Sequence, residues 1–333
     1  MILRQMFEPV SCTYTYLVAS RQGGEALLID PVFEKAEQYL QLLGELDLKL
    51  LKVIDTHVHA DHITAMGVLR DQTNCITVMG EQSPVDIVSM RVSDGEYVHL
   101  EGVKLQAIHT PGHTSDSYCF LYEKCIFTGD TLLIRGTGRT DFQNGDAGQQ
   151  YDSIFGKLLT LPEDTIVLPG HDYRGQTAST IGEEKAHNPR LRVRSKQDYI
   201  ALMDSLNLPN PKMMDVAVPE NMKMGLSLER QKEVPSVDLD HTSLATLENY
   251  QIVDLREETE RQRFGIIPNS LSLPYSSLDR HFSILKQCSK PILFVCAAGE
   301  RSAMAVAISR ASGLENIQHL VGGFTRYQQK SQV

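Results

Sequence analysis

Between Thr56 and His62 the chain reads Thr-His-Val-His-Ala-Asp-His, so three imidazoles and one carboxylate fall between His57 and His62. Three more candidate ligands stand in comparable settings: His113 in Thr110-Pro111-Gly112-His113, Asp130 in Thr128-Gly129-Asp130, and His171 in Pro169-Gly170-His171. Imidazole and carboxylate are the side chains that hold zinc and iron. Folding alone does not call for so many of them at strand ends. A second kind of chemistry is suggested near the other end. Cys296-Ala297-Ala298-Gly299-Glu300-Arg301-Ser302 lies between the apolar run Pro291 to Val295 and a helical stretch. A cysteine there meets the free N–H groups of a helix start, which favour an anionic sulfur. Gly299 permits the tight turn and Arg301 adds a fixed positive charge.

These residues need elements to bring them together. Tyr14 to Ser20 and Ala26 to Ile29 read as hairpin strands around Gly23-Gly24, and Leu48 to Ile54 as a buried strand. Glu34 to Gly44 and Ala65 to Gln72 read as helices. Val103 to Ile108, Ser117 to Tyr122, Cys125 to Thr128 and Thr165 to Leu168 complete a strand-rich set. Each ligand group follows an apolar run, so all seven should meet along one sheet edge. His57 and His59, two apart, would point to one side if the backbone is extended. Ser195 to Leu206 reads as a helix ended by Leu208-Pro209-Asn210-Pro211. Met213 to Leu226 shows no clear period and reads as a strap across the first domain or a wall of a substrate groove. Charged residues 229 to 236 read as a linker between domains 1–228 and 237–333. Beyond it, strands at Gln251 to Asp254, Ser270 to Leu273 and Pro291 to Val295 alternate with helices such as Ser302 to Ser312. That pattern indicates a small α/β domain with a parallel sheet.

The bulk numbers narrow the function. The chain has 333 residues, which favours two domains. A formal net charge of −10 and a pI near 5.6 argue against nucleic acid or an anionic membrane as main partner. No apolar run approaches a membrane span, and residues 1 to 7 lack the features of a signal peptide. The expectation is a cytoplasmic, prokaryotic enzyme, with a homo-oligomer left open. Cys12, Cys75, Cys119, Cys125 and Cys288 show no framework spacing and read as reduced structural thiols. His99, His109, His187, His241, His281 and His319 read as hydrogen-bonded structural residues.

Thr56 to His62 resembles the THxHxDH motif of the metallo-β-lactamase fold family, whose architecture is an αββα sandwich. Ligand number alone would favour a two-metal thioesterase similar to glyoxalase II. There, His57, His59 and His113 would hold one metal, Asp61, His62 and His171 the other, and Asp130 would bridge. The stretches Ile134 to Gln143, His171-Asp172-Tyr173, Asn188-Pro189-Arg190 and Ala217 to Met222 are instead similar to the persulfide dioxygenases. That resemblance implies one Fe(II) per chain on His57, His113 and Asp130, with zinc an alternative in purified material. A two-His, one-carboxylate set leaves three positions open for a persulfide sulfur and O2. His59, Asp61, His62 and His171 would then orient the ligands. Arg139 and Tyr173 match positions that contact glutathione.

Cys296 to Ser302 resembles the CxxGxR loop of the rhodaneses, supported by Val253 to Glu257, Gly265 to Pro268 and Val321 to Phe324. The implied nucleophile is Cys296 with Arg301, cradled by Ala297, Ala298, Gly299, Glu300 and Ser302. Ala297 stands where many thiosulfate-using members carry a basic residue, and Ile266 where His is common. The order of the domains resembles persulfide dioxygenase–rhodanese fusions. Implied substrates are glutathione persulfide, O2, glutathione, and thiosulfate or sulfite.

Overall fold

The computed structural model describes residues 1–85, 88–206, 208–209, 213–223 and 231–332. The chain divides into two units, Met1–Val85 with Arg91–Met222, and Asp86–Met90 with Lys223–Val333.

Two six-stranded sheets form the first unit. One runs in the order β1 (Ile2–Glu8), β2 (Thr13–Ala19), β3 (Glu25–Ile29), β4 (Lys49–Ile54), β5 (Ile76–Gly80), β6 (Met90–Val92). Its first three strands are antiparallel, whereas β3, β4 and β5 are parallel. Parallel neighbours need crossovers, and helices Ala36–Glu45 and Met66–Thr73 provide them. β2 reads Thr-Tyr-Thr-Tyr-Leu-Val-Ala and is buried throughout, as its β-branched and aromatic residues favour. The other sheet places β7 (Tyr97–Leu100), β8 (Val103–His109), β9 (Tyr118–Tyr122) and β10 (Cys125–Gly129) in an antiparallel meander. β11 (Ile166–Pro169) then joins β10 in parallel after helix Ala147–Gly156, and β12 (Ser179–Thr180) closes the edge. Ile126, Val167, Ile154, Leu158, Ile181 and Tyr199 form the core under this sheet.

The ligand groups follow the ends of β4, β8, β10 and β11. The expected strands are all present within a residue or two at their ends. Three expectations need correction. The expected helix at Glu34 to Gly44 opens with a tighter 3-10 turn, Phe33–Lys35. Residues 55–62 form bends and irregular backbone outside any strand, so the extended-backbone argument for His57 and His59 does not apply. Residues Met214–Met222 form a helix with Pro219 inside, where no period is visible; positions 224–226 of that stretch lie outside the described residues, as do 210 and 211 of the helix-ending segment.

The second unit carries a five-stranded parallel sheet in the order β13 (Ser236–Val237), β17 (Ile317–Leu320), β16 (Ile292–Val295), β14 (Gln251–Asp254), β15 (Leu271–Ser272). β16, Ile-Leu-Phe-Val, is buried throughout. Leu293, Val295, Leu320 and Phe324 share one core with Val237, Leu239, Leu247 and Ile267. Of the expected linker, 229 and 230 lie outside the described residues. Gln231, in the same stretch, is fully buried, and Ser236–Val237 pairs with β17.

Candidate metal centre and sulfur-carrying loop

His57, His113 and Asp130 each turn one ligand atom inward, all within 4.8 Å of one another. Each is fixed from behind. His113 Nδ1 meets the Arg139 carbonyl at 2.7 Å, so Nδ1–H donates and Nε2 faces Asp130 Oδ2 at 3.5 Å. Such a bond on the distal nitrogen sets the tautomer of a ligand imidazole. His57 Nδ1 lies 3.0 Å from the Thr56 hydroxyl. Burial, then the neighbouring His59 and His113, holds the His57 pKa well below its ordinary value. The ring is therefore neutral, the form that binds a metal. Burial raises the Asp130 pKa, but His171 and then His113 outweigh it, and the carboxylate stays ionised.

Glycines let the backbone close around these ligands. A Cβ on Gly138 would lie 2.2 Å from the Asp130 carbonyl and 2.8 Å from His113 Nδ1. Gly138→Ala should therefore push His113 off its carbonyl partner and weaken metal retention by about 10–100-fold, as loss of an outer hydrogen bond does. A chelator competition on the two proteins measures this.

The other four candidates meet in a separate arrangement. His59, Asp61 and His62 form a second inward-facing set. His171 spends both nitrogens on carboxylates: Nδ1 on Asp130 Oδ1 at 2.6 Å and Nε2 on Asp61 Oδ2 at 2.8 Å. Burial acts to lower its pKa, but Asp130 and Asp61 prevail and hold it well above the ordinary value. Both ring nitrogens of His171 thus face carboxylate oxygens in this arrangement. His59 Nε2 lies 3.2 Å from Asp30 Oδ1. His59 Nδ1 and His62 Nε2 are buried without a protein hydrogen-bond partner among the described residues.

In the second unit, Cys296 directly follows β16 and is buried. Its Sγ accepts N–H bonds from Gly299 at 3.1 Å and Ser302 at 3.4 Å, and lies 3.5 Å from the Ser302 hydroxyl. Gly299 has φ +95° and begins helix Glu300–Ala311. A Cβ there would meet Gln231 Oε1 at 2.0 Å. Gly323, at φ +58°, packs against the Cys296 carbonyl, where a Cβ would come to 2.4 Å. Phe324 and Thr325 N–H groups donate to the carbonyls of Cys296 and Ala297. The loop thus turns two N–H groups, of Gly299 and Ser302, onto one sulfur.

Besides its electrostatic interaction with Cys296, Arg301 has a further task. Fully buried, it forms a fork on Glu260 at 2.6 and 2.7 Å. Removing one partner of such a pair leaves an uncompensated buried charge. Glu260→Gln should cost about 3–5 kcal/mol of stability, read as a lower urea midpoint for the second unit's transition.

Residues 11–82 and 80–171 match the family model of the metallo-β-lactamase superfamily, and residues 241–330 match that of the rhodanese-like domain. Mouse mitochondrial persulfide dioxygenase ETHE1 is 47% identical over 228 residues, 68% of this chain and 89% of its own. The chain belongs to the persulfide dioxygenase family of the metallo-β-lactamase superfamily. Crystalline ETHE1 from Myxococcus xanthus is 49% identical and superposes with a TM-score of 0.66, covering 68% of this chain and 100% of its own. A metallo-β-lactamase from Staphylococcus aureus COL covers 96% of this chain and 98% of its own at 22% identity and a TM-score of 0.63, a likeness of fold. This member of the family is an enzyme of the sulfur dioxygenase and sulfurtransferase kinds, metal-binding, with a rhodanese-like domain appended. None of its helices, among the described residues, is long and apolar enough to cross a membrane.

Two further candidates lie near this centre. Tyr173 is 70% exposed and stacks on His171 at 6.1 Å and 6° between planes. Arg139 holds both oxygens of Asp141 at 2.6 Å and donates to the Pro209 carbonyl. Its fork is engaged within the protein.

Several residues that build the site went unread in the sequence. Asp30 accepts from Thr56 N–H and the Thr56 hydroxyl as well as facing His59. Asp116 accepts from Val58 N–H. Asn221 ties the ligand loop to the last helix of the unit, donating to the His59 and His62 carbonyls and accepting from Thr64 N–H. In the second unit Gln231 donates to the Ala298 carbonyl and accepts from Gly322 N–H. Asp30 carries a usable signal, a carboxylate closing the apolar run Ala26 to Ile29. Asp116 stands three residues after His113 and Asn221 lies inside the stretch Ala217 to Met222, whereas Gln231 is a single polar residue far from Cys296 in sequence. Cys119 fits the structural-thiol reading, since burial pushes its pKa up to about 12.

Proposed function

We propose that this chain oxidises glutathione persulfide with O2 and water to glutathione and sulfite, using one Fe(II) on His57, His113 and Asp130. Cys296 carries sulfane sulfur as a persulfide among thiosulfate, sulfite and glutathione. The observation that carries the single-metal reading is His171, whose two nitrogens are spent on Asp130 and Asp61. A dinuclear centre would need one of them.

The residues fit the ion. Two neutral-capable imidazoles and a carboxylate suit Fe(II), and three such ligands leave positions open. When bound, Fe(II) supplies those positions and the electron transfer that joining O2 to sulfur requires, which zinc lacks. The protein does the rest. The Arg139 carbonyl aims His113, and His171 holds the second oxygen of Asp130 so that the first faces the centre. Tyr173 would flank the glutathione moiety. A glutathione carboxylate would compete with Asp141 for the Arg139 fork, since bidentate pairing suits either partner. The rhodanese loop would either regenerate persulfide for the first reaction or use up its sulfite, in a cytoplasmic setting.

A second reading, a two-metal glutathione thioesterase, draws on the unpartnered His59 Nδ1 and His62 Nε2. The deciding experiment is O2 consumption by protein purified without air, supplied with Fe(II) and glutathione persulfide, with metal counted per chain. Uptake yielding sulfite at one iron per chain is the expected result. Two metals, no uptake and hydrolysis of S-lactoylglutathione would replace it with the thioesterase.

A further inference from the structure

The single-metal reading leaves a question about His59, Asp61, His62 and His171. These residues are the second half of a dinuclear ligand set, and all of them are present. Something in this chain must make that position unwelcoming. The hydroxyl of Thr13 stands in it.

Thr13 opens β2 and is fully buried. Its backbone pairs with His171 as an isolated antiparallel bridge, and Tyr14 N–H donates to the Gly170 carbonyl at 2.7 Å. The strand therefore seats Thr13 against the ligand loop after β11. Its Oγ1 donates to Asp61 Oδ2 at 3.2 Å and lies 3.0 Å from His171 Nε2 and 3.4 Å from His62 Nδ1. A single Asp61 oxygen is thereby ringed by Thr13, His62 Nδ1 at 3.0 Å and His171 Nε2 at 2.8 Å. On its outer side the hydroxyl lies 2.7 Å from Ser11 Oγ, which in turn lies 2.8 Å from Glu8 Oε2. Glu8 in turn accepts from the N–H groups of Val10 and Ser11, which fixes the turn before β2. The Thr13 hydroxyl is thus held from both sides.

We propose that Thr13 is the residue that restricts this centre to one metal. A cation at the second position would have to draw on Asp61 and His171, ligand atoms normally about 2.0–2.2 Å from such an ion. Both are occupied by hydrogen bonds in which Thr13 takes part. The hydroxyl keeps Asp61 and His171 closed on each other, and His171 in turn keeps Asp130 turned to the first position. Thr13 is a positioning residue; it does not need to touch substrate. The inference rests on the single-metal reading above.

The test counts metal rather than turnover. Full-length protein, stripped of metal, is titrated with Zn(II) and with Mn(II), desalted, and its metal per chain measured; Mn(II) samples also give an EPR spectrum. Thr13→Val keeps the β-branched shape that a buried strand favours and removes only the hydroxyl. Thr13→Ser keeps the hydroxyl. Wild type and Thr13→Ser should take up one ion per chain. Thr13→Val should approach two, with the split EPR pattern of a coupled Mn(II) pair. One ion per chain in a Thr13→Val protein that retains the wild-type circular dichroism would overturn the role of Thr13 and leave the single-metal reading standing. Two ions in the wild type would overturn both. If Thr13→Val fails to fold, Thr13→Ala under the same titration carries the same two outcomes.

Discussion

His113→Ala should empty the first centre. The substitution removes one of the three proposed ligands and leaves the Arg139 carbonyl, to which His113 Nδ1 donates, without that donor. Loss of an outer hydrogen bond alone costs metal sites about 10–100-fold, so loss of a ligand should lower O2 consumption by more than about 100-fold. Iron per chain should fall from near one toward zero after desalting. Sulfur transfer through Cys296 should survive, because its cradle is built from residues 231 and 296–325. The paired measurement matters. Iron retained at one per chain with O2 uptake intact would remove His113 from the ligand set, however well its geometry fits.

Cys296→Ser should have the converse effect. A hydroxyl cannot carry sulfane sulfur as a persulfide does, so the loss should resemble removal of any covalent nucleophile, about a thousandfold or more. The N–H bonds from Gly299 and Ser302 should still be made to the smaller oxygen, and the fold should hold. Sulfur transfer from thiosulfate or glutathione persulfide is the readout, followed as thiocyanate or sulfite. Unchanged rates would recast the second unit as a docking or sulfur-sensing module. Ala297 adds a graded expectation, because no basic side chain follows the nucleophile; glutathione persulfide should be the better donor.

The candidate ligands, which the structure brings together, are legible because their clues are local. Each follows an apolar run, and a strand end is where a sheet hands its side chains to a shared edge. The same holds for Cys296, set between an apolar strand and a helix start. What could not be read is what supports them. Thr13, Asn221 and Gln231 reach their sites through tertiary contacts across many residues, and a lone Thr, Asn or Gln has no spacing to announce it. Arg301 shows the limit most clearly. Its place in the loop suggests a charge beside the sulfur, but nothing there announces that Glu260, 41 residues earlier, takes its fork. The helix Met214–Met222 was hidden for another reason. Pro219 and a mixed apolar surface erase the periodicity, and packing rather than propensity determines it.

Gln231 bears on where this protein could be cut. It precedes the first strand of the parallel sheet by five residues, yet its side chain joins the Ala298 carbonyl to Gly322 N–H and its own carbonyl receives the His319 ring. The start of the sulfurtransferase unit is therefore set by its active loop and not by its first strand. A gene fragment opening at Val237 would encode every strand but one residue of β13, and still lack the brace that holds the Cys296 loop to the end of β17. Fragments that begin upstream of Gln231 are the ones that carry the whole brace around the Cys296 loop.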